Sequence, residues 1–253
     1  MKTVILCGGK GTRMKEETEY RPKPLVEIGG KPILWHIMKM YAHHGHREFI
    51  LTLGYKGQMI KNYFLHEGNH IDDFTYNTKD RSLTRHDRDT DHFAITFVDT
   101  GLESLTGHRL QKVAHHLANE EFMVTYGDGV SDININNIIA FHRKQGTIGT
   151  ITGSHPSSKY GLVNIDPSTR LVIGFYQKPV LNDYVNCGFM VFTNKIWDYL
   201  DDGPIEDALV RLAKDRELSI YEHSGFWKAM DTYQEVEELN TLCRSSRPWK
   251  IWK

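Results

Sequence analysis

The 253-residue chain sets 31 Lys and Arg against 32 Asp and Glu, and 40% of it is hydrophobic. That suffices for one large α/β domain with a full core, and the charge balance removes any bulk electrostatic case for nucleic acid or a membrane surface. Cys7, Cys187 and Cys243 are odd in number and far apart. They suit a reduced, cytoplasmic protein and have no metal-ligand spacing.

The chain opens with a short apolar run, Thr3 to Cys7, rich in β-branched residues and ended by glycines. The run is too short for a signal peptide or a membrane span, so a soluble protein is expected. An apolar strand, a glycine loop and then a helix bring backbone N–H groups against phosphate. Two familiar phosphate loops do not fit Gly8-Gly9-Lys10-Gly11-Thr12-Arg13-Met14. No Lys-Ser or Lys-Thr pair follows the second glycine, and the last glycine of a dinucleotide fingerprint is Met14. What remains is a glycine loop carrying its own arginine, a fork of donors suited to phosphate oxygens. The alternative is a tight turn with its charges in water.

Next, Arg21-Pro22-Lys23-Pro24-Leu25 sets a lysine between two prolines that restrict its backbone. It reads as an aimed cation or as a rigid surface turn. Helical periodicity is expected over Ile33–Tyr41, Gln58–Phe64 and Leu110–Leu117, and strands over Phe49–Leu53, Phe93–Val98 and Phe122–Tyr126. The alternation predicts a mainly parallel, Rossmann-like mixed sheet with helices on both faces and ligands at the carboxyl ends of the strands. The polar stretch 65–92, with His66, His70, His86 and His92, fails the calcium-loop pattern at Asp87, Asp89 and Asp91 and reads as a solvated hairpin or flap. His43, His44, His46, His115 and His116 read as exposed helix-end residues.

The strand Phe122–Tyr126 runs into Gly127-Asp128-Gly129, where Asp128 is either a magnesium ligand or a turn aspartate. Beyond Phe141 the pattern shifts to strands Gly161–Ile165, Leu171–Tyr176 and Tyr184–Phe192, read as a hairpin-rich half. The expectation is one domain, with residues 1–145 the nucleotide half and 146–253 the acceptor half and C-terminal helix. Gln177-Lys178-Pro179 offers another constrained cation, and Asp231 is either a second metal ligand or the N-cap of the following helix. Clamping cations, an arginine loop and two candidate metal carboxylates together describe phosphoryl or nucleotidyl transfer.

Gly8–Met14 followed by Arg21–Tyr41 resembles the start of the sugar-1-phosphate nucleotidyltransferases, and most of all those that join CTP to glucose 1-phosphate. Val98–Gly101, Thr106–Leu110, Thr125–Val130, Gly225–Trp227, Met230–Thr232 and Pro248–Trp252 continue the likeness in order. The resemblance implies the nucleotide-diphospho-sugar transferase fold and a homo-oligomer. It implies that Leu6, Cys7, Gly8, Gly9, Gly11, Thr12, Arg13, Ser104, Thr106, Arg109 and Gly127 bind the nucleotide. Arg13, Lys23 and Lys178 would be catalytic, Asp128 and Asp231 would hold Mg²⁺, and Tyr160, Gly161, Gln177, Lys178, Asn186 and Gly188 would meet the acceptor. The alternatives are the same transfer to another phosphorylated acceptor, or from UTP or dTTP.

The chain departs from the family where Gln177 replaces a glutamate, Cys187 a glycine and His108 a glycine, and where Gly203–Asp207 replaces a tryptophan-and-proline segment. Three of these changes fall on the acceptor side and imply altered hydroxyl recognition.

Overall fold

The computed structural model describes residues 1–65, 74–85, 92–117, 120–158 and 160–252. His66, His70, His86, Asp87, Asp89 and Asp91 lie outside them; within that polar stretch, Phe74–Asn77 and Ser82–Arg85 pair as an antiparallel ribbon.

Thr3–Leu6 is an interior strand of a seven-stranded sheet. Glu48–Leu53 pairs with it in parallel on one side and Phe122–Tyr126 on the other. Ala94–Asp99 extends the first side, also in parallel. On the second side Val185–Phe192 runs antiparallel between Phe122–Tyr126 and Gly149–Ser154, and Leu218–Glu222 closes the edge parallel to Gly149–Ser154.

Alternate residues of each central strand enter opposite cores, as a two-residue side-chain period requires. Ile5, Phe49, Leu51, Met123, Phe189 and Val191 join the core under the helices Ile33–His43, Ile135–Gln145 and Tyr233–Ser245. Val4, Leu6, Ile50, Val124, Met190 and Phe192 join the core under Thr106–Val113 and Ile205–Lys214. With both faces covered, the strands are near-continuous apolar runs.

The stretch beyond Phe141 is less hairpin-rich than its sequence pattern predicts. Three of its strands join the central sheet, and it contributes the helices Ile205–Lys214 and Tyr233–Ser245. Leu162–Ile165 and Val172–Tyr176 do form a ribbon apart from the sheet. The strand Leu218–Glu222 escaped the periodicity because every residue of it is half-buried or exposed.

The chain leaves Thr3–Leu6 toward one side of the sheet and returns on the other, so a switch point falls at the end of that strand. Leu6, Leu53, Asp99 and Tyr126 end parallel strands at one edge of the sheet, and ligands of open α/β sheets bind there. Val185–Phe192, running the other way, delivers its first residues to the same edge.

Candidate active site

The loop after Thr3–Leu6 is held from several directions. Gly11 has φ 62°, a left-handed conformation that favours glycine, and opens a single turn Thr12–Met14. Met14 is buried as its anchor, and the Thr18 hydroxyl donates to Met14 O at 2.9 Å and Gly11 O at 3.1 Å. From beneath, the buried Arg109 guanidinium donates to Gly8 O (3.0 Å), Leu53 O (3.1 Å), Thr100 Oγ1 (2.6 Å), Gly101 O (2.8 Å) and Leu102 O (3.3 Å). A Cβ on Gly8 would lie 2.1 Å from Arg109 Nη1, so only glycine lets the guanidinium come this close.

A cleft of about 400 Å³ opens over this loop. Leu6, Cys7, Gly8, Gly9, Gly11, Thr12, Arg13, Ser104, Thr106, Arg109 and Gly127 all line it, together with Lys23, Asp128 and Asp231. Several of these side chains have structural duties as well. Thr106 Oγ1 accepts the backbone N–H of Ile205 at 2.8 Å, which satisfies the first turn of Ile205–Lys214, and the Ser104 hydroxyl donates to Thr100 O.

The charges gather at the floor of the cleft. Lys23 Nζ lies 2.6 Å from Asp128 Oδ2 and 2.7 Å from Asp231 Oδ1. Arg13 Nη1 lies 3.0 Å from Asp231 Oδ2, its own side chain 73% exposed and so open to a ligand. Burial works to lower the Lys23 pKa, but the Asp128 charge and the hydrogen bonds to both carboxylates outweigh it, and the net shift is upward. Lys23 is therefore cationic at neutral pH.

Asp231 is not the helix cap. Thr232 caps Tyr233–Ser245, accepting the Glu235 N–H at 3.3 Å, and Glu235 Oε2 accepts the N–H groups of Asp231 (2.7 Å) and Thr232 (2.9 Å). The Asp231 carboxylate is thereby left for the cleft. Asp128 and Asp231, brought within reach of one ammonium, are a donor set that could hold a hard cation such as Mg²⁺. That ion takes one or two carboxylates and completes its shell with water and phosphate oxygens. Among the described residues no group of three or more His, Cys, Asp or Glu side chains offers an all-protein cage.

A second cleft of about 370 Å³ shares Arg13, Tyr126, Asp128, Glu206 and Asp231 with the first. Asn186, Cys187 and Trp227 line its far side, and Trp227 Nε1 donates to Cys187 O at 2.9 Å. Gly188 has φ 81°, and a Cβ there would meet Tyr126 Cδ2 at 2.4 Å. It lets Tyr126 pack behind the cleft.

Tyr160, Gly161, Gln177 and Lys178 line neither cleft. They flank the exposed ribbon Leu162–Ile165/Val172–Tyr176, where a Cβ on Gly161 would lie 3.4 Å from Gln177 Oε1. The Glu238 carboxyl, held below its usual range chiefly by its Lys228 partner, also feels the Lys178 charge.

Sequence reasoning missed Tyr126 and Glu206, which stand where the two clefts meet; the Tyr126 hydroxyl donates to Glu206 Oε1 at 2.6 Å. Tyr126 precedes the Gly127-Asp128 signal directly, and Glu206 lies in the segment that departs from the family pattern. All three cysteines are free thiols, and burial pushes both cleft thiols, Cys7 and Cys187, up, the latter to about 12.

The sequence profile of the family described as "Nucleotidyl transferase" matches residues 2–228. The chain belongs to the nucleotidyl transferase family. This nucleotidyl transferase is 42% identical to a protein of Bacillus subtilis named probable glucose-1-phosphate cytidylyltransferase, and 42% identical to the glucose-1-phosphate cytidylyltransferase of Salmonella typhi. Each match covers the whole of both chains. Among solved structures it resembles a putative glucose-1-phosphate thymidylyltransferase from Bacillus anthracis (TM-score 0.72, 20% identity, 97% of this chain and 96% of that one). An apo UDP-glucose pyrophosphorylase is also similar (TM-score 0.70, 17% identity, 97% of this chain and 98% of that one). These structures bear on the fold alone, and they share the α/β architecture described above.

Proposed function

We propose that this nucleotidyl transferase moves the cytidylyl group of CTP onto glucose 1-phosphate, releasing pyrophosphate and CDP-glucose. The reading includes Mg²⁺ as the cofactor, a cytoplasmic site of action and assembly of identical subunits. The observation that carries it is the cluster of Lys23, Arg13, Asp128 and Asp231 beneath a glycine loop, at the junction of two clefts sized for two ligands.

The reaction brings two polyanions together. An acceptor phosphate oxygen forms a bond to the α-phosphorus in line as the bond to the pyrophosphate oxygen breaks. Arg13 and Lys23 neutralise the triphosphate and the charge that develops on pyrophosphate. Asp128 and Asp231 would hold Mg²⁺, which supplies further neutralisation of phosphate charge when bound. Lys178 is assigned to the acceptor phosphate and Glu206, at the junction, to the acceptor side. No covalent intermediate is needed, and the protonated, buried Cys7 and Cys187 thiols suit that: positioning and charge neutralisation carry the rate.

The test is pyrophosphate release from CTP, UTP, dTTP and GTP, each against a panel of hexose 1-phosphates and polyol phosphates. Turnover with CTP and glucose 1-phosphate above every other pair supports the proposal. A different best pair reassigns base or acceptor, and no turnover with any pair points to a nucleotide-binding relative without catalysis.

A further inference from the structure

Of the two charged side chains between Gly8 and Met14, Arg13 lines the larger cleft and Lys10 does not. Lys10 reaches instead from the glycine loop to the loop after Ala94–Asp99, where its Nζ lies 2.7 Å from Glu103 Oε1 and 2.9 Å from Glu103 Oε2. The chain neighbours of both residues line the cleft, Gly9 and Gly11 on one side and Ser104 and Leu105 on the other. The Lys10 and Glu103 side chains themselves keep 45% and 75% of their surface in water. The ion pair therefore bridges the cleft at its solvent-facing rim.

This bridge is not what holds the two loops in place. Beneath it the Arg109 guanidinium donates to Gly8 O of one loop and to Gly101 O and Leu102 O of the other. The Ser104 hydroxyl and Lys112 Nζ, the latter at 2.8 Å, both donate to Thr100 O. An exposed lysine–glutamate pair is screened by salt and costs side-chain entropy, so it shifts an equilibrium by no more than about fivefold. Such a pair parts easily. A Cβ built on Gly9 would meet nothing within 4 Å among the described residues, so open space lies against the loop beside Lys10. Arg13 and Lys23 inside the cleft are also paired with carboxylates, so these three cations are neutralised in place before a ligand arrives. A polyphosphate on the loop's backbone N–H groups brings several negative charges to the same spot and competes for them.

Resting on the reading of the larger cleft as the nucleotide site, we propose that Lys10 is a latch that exchanges partners. It leaves Glu103 and closes on the terminal phosphates of the bound nucleoside triphosphate, while Glu103 turns to water. Glu103 then opposes binding twice over. It competes for the ammonium in the free chain, and its charge repels phosphate in the bound one. The pair sets how tightly a triphosphate is held, and it acts on the phosphates that a monophosphate lacks.

The experiment is calorimetric titration of the full chain with CTP, UTP, dTTP and GTP, and with the monophosphate of the best of them by competition. Wild type is set beside Lys10→Met, Glu103→Gln and the double variant. Lys10→Met should weaken the best triphosphate about tenfold and flatten the dependence of its Kd on ionic strength, with the monophosphate within about twofold. Glu103→Gln should tighten the same triphosphate about three- to fivefold, and should gain less where Lys10 is already methionine. That opposite sign is what a brace across the cleft rim cannot produce. Weaker triphosphate binding in Glu103→Gln, or unchanged binding in both single variants, overturns the exchange. Equal losses of triphosphate and monophosphate in Lys10→Met overturn the assignment to the terminal phosphates. A wild type that binds none of the four triphosphates overturns the nucleotide reading of the cleft itself, and the latch with it, so the two failures are told apart.

Discussion

Replacing Arg109 by methionine separates two roles for a residue that lines the larger of the two clefts. Methionine keeps much of the buried stem and removes every donor. Gly8 O retains the Tyr55 N–H at 3.1 Å, and Leu53 O retains the Thr100 N–H at 2.9 Å and the Thr100 hydroxyl at 2.7 Å. The acceptors that lose their only partner among the described residues are therefore Gly101 O and Leu102 O. At about 1–3 kcal/mol for each, discounted at exposed Leu102 where water substitutes, the expected loss is about 3 kcal/mol. For a chain of this size that lowers Tm by roughly 6–12 °C. Arg109→Lys should recover little, because one ammonium cannot reach five oxygens spread over the ends of three strands. Gly8→Ala should mimic the defect from the other side, since its Cβ would occupy the guanidinium's place. Thermal melts with and without CTP, read beside KM for the nucleotide, make the measurement. A Tm within about 2 °C of wild type alongside a large loss of nucleotide affinity would refute the reasoning, since Arg109 would then serve the ligand and not the loop.

Arg13→Ala and Lys23→Ala should each lower kcat/KM on the order of a hundredfold or more with the fold kept by circular dichroism; near-normal turnover in either removes that residue from the phosphate clamp. Asp128→Asn and Asp231→Asn should each raise the Mg²⁺ concentration needed for half-maximal rate at least about tenfold, and an unchanged metal titration sinks the shared-ion assignment. Glu206→Gln should raise KM for the acceptor about tenfold with the nucleotide KM unchanged, because a hydrogen bond to a charged acceptor is worth about 1.5–3 kcal/mol. Gln177→Glu should raise kcat/KM for the sugar phosphate up to about tenfold, and no gain excludes hydroxyl contact at that position. His36 titrates at about 4 in the folded chain against an ordinary 6.5, so its neutral form stabilises the fold above pH 6.5 and that contribution is lost as pH falls toward 4. Denaturant unfolding at pH 7 and pH 4.5 should therefore show wild type losing about 2 kcal/mol more than His36→Phe; equal losses would place the titration elsewhere.

The amino-acid sequence by itself determined the local features of this protein. The β-branched run before Gly8, the alternation of short apolar strands with helical periodicity, and the prolines around Lys23 each report on a few neighbouring residues, and each is where sequence reading placed it. Asp128 and Arg13 were legible as candidates for the same reason, since a carboxylate or guanidinium beside glycines at a strand end is a local pattern. Only the tertiary structure decided what meets what. Lys23 and Asp128 are 105 positions apart and Lys23 and Asp231 are 208 apart; pairing of Trp227–Ala229 with Gly129–Ser131 brings the two carboxylates together, and packing of the buried Pro24 and Leu25 sets the ammonium between them. The cap alternative at Asp231 was removed by Thr232 and Glu235, whose reciprocal bonds fill the helix start. The antiparallel direction of Val185–Phe192, which carries Asn186 and Cys187 to the cleft, has no local signature, because side-chain alternation is the same in either direction. Nor could spacing reveal that Arg109 grips five oxygens. That contact exists because glycine at position 8 and the sheet edge leave one space a guanidinium fills, and space is a property of the packed chain.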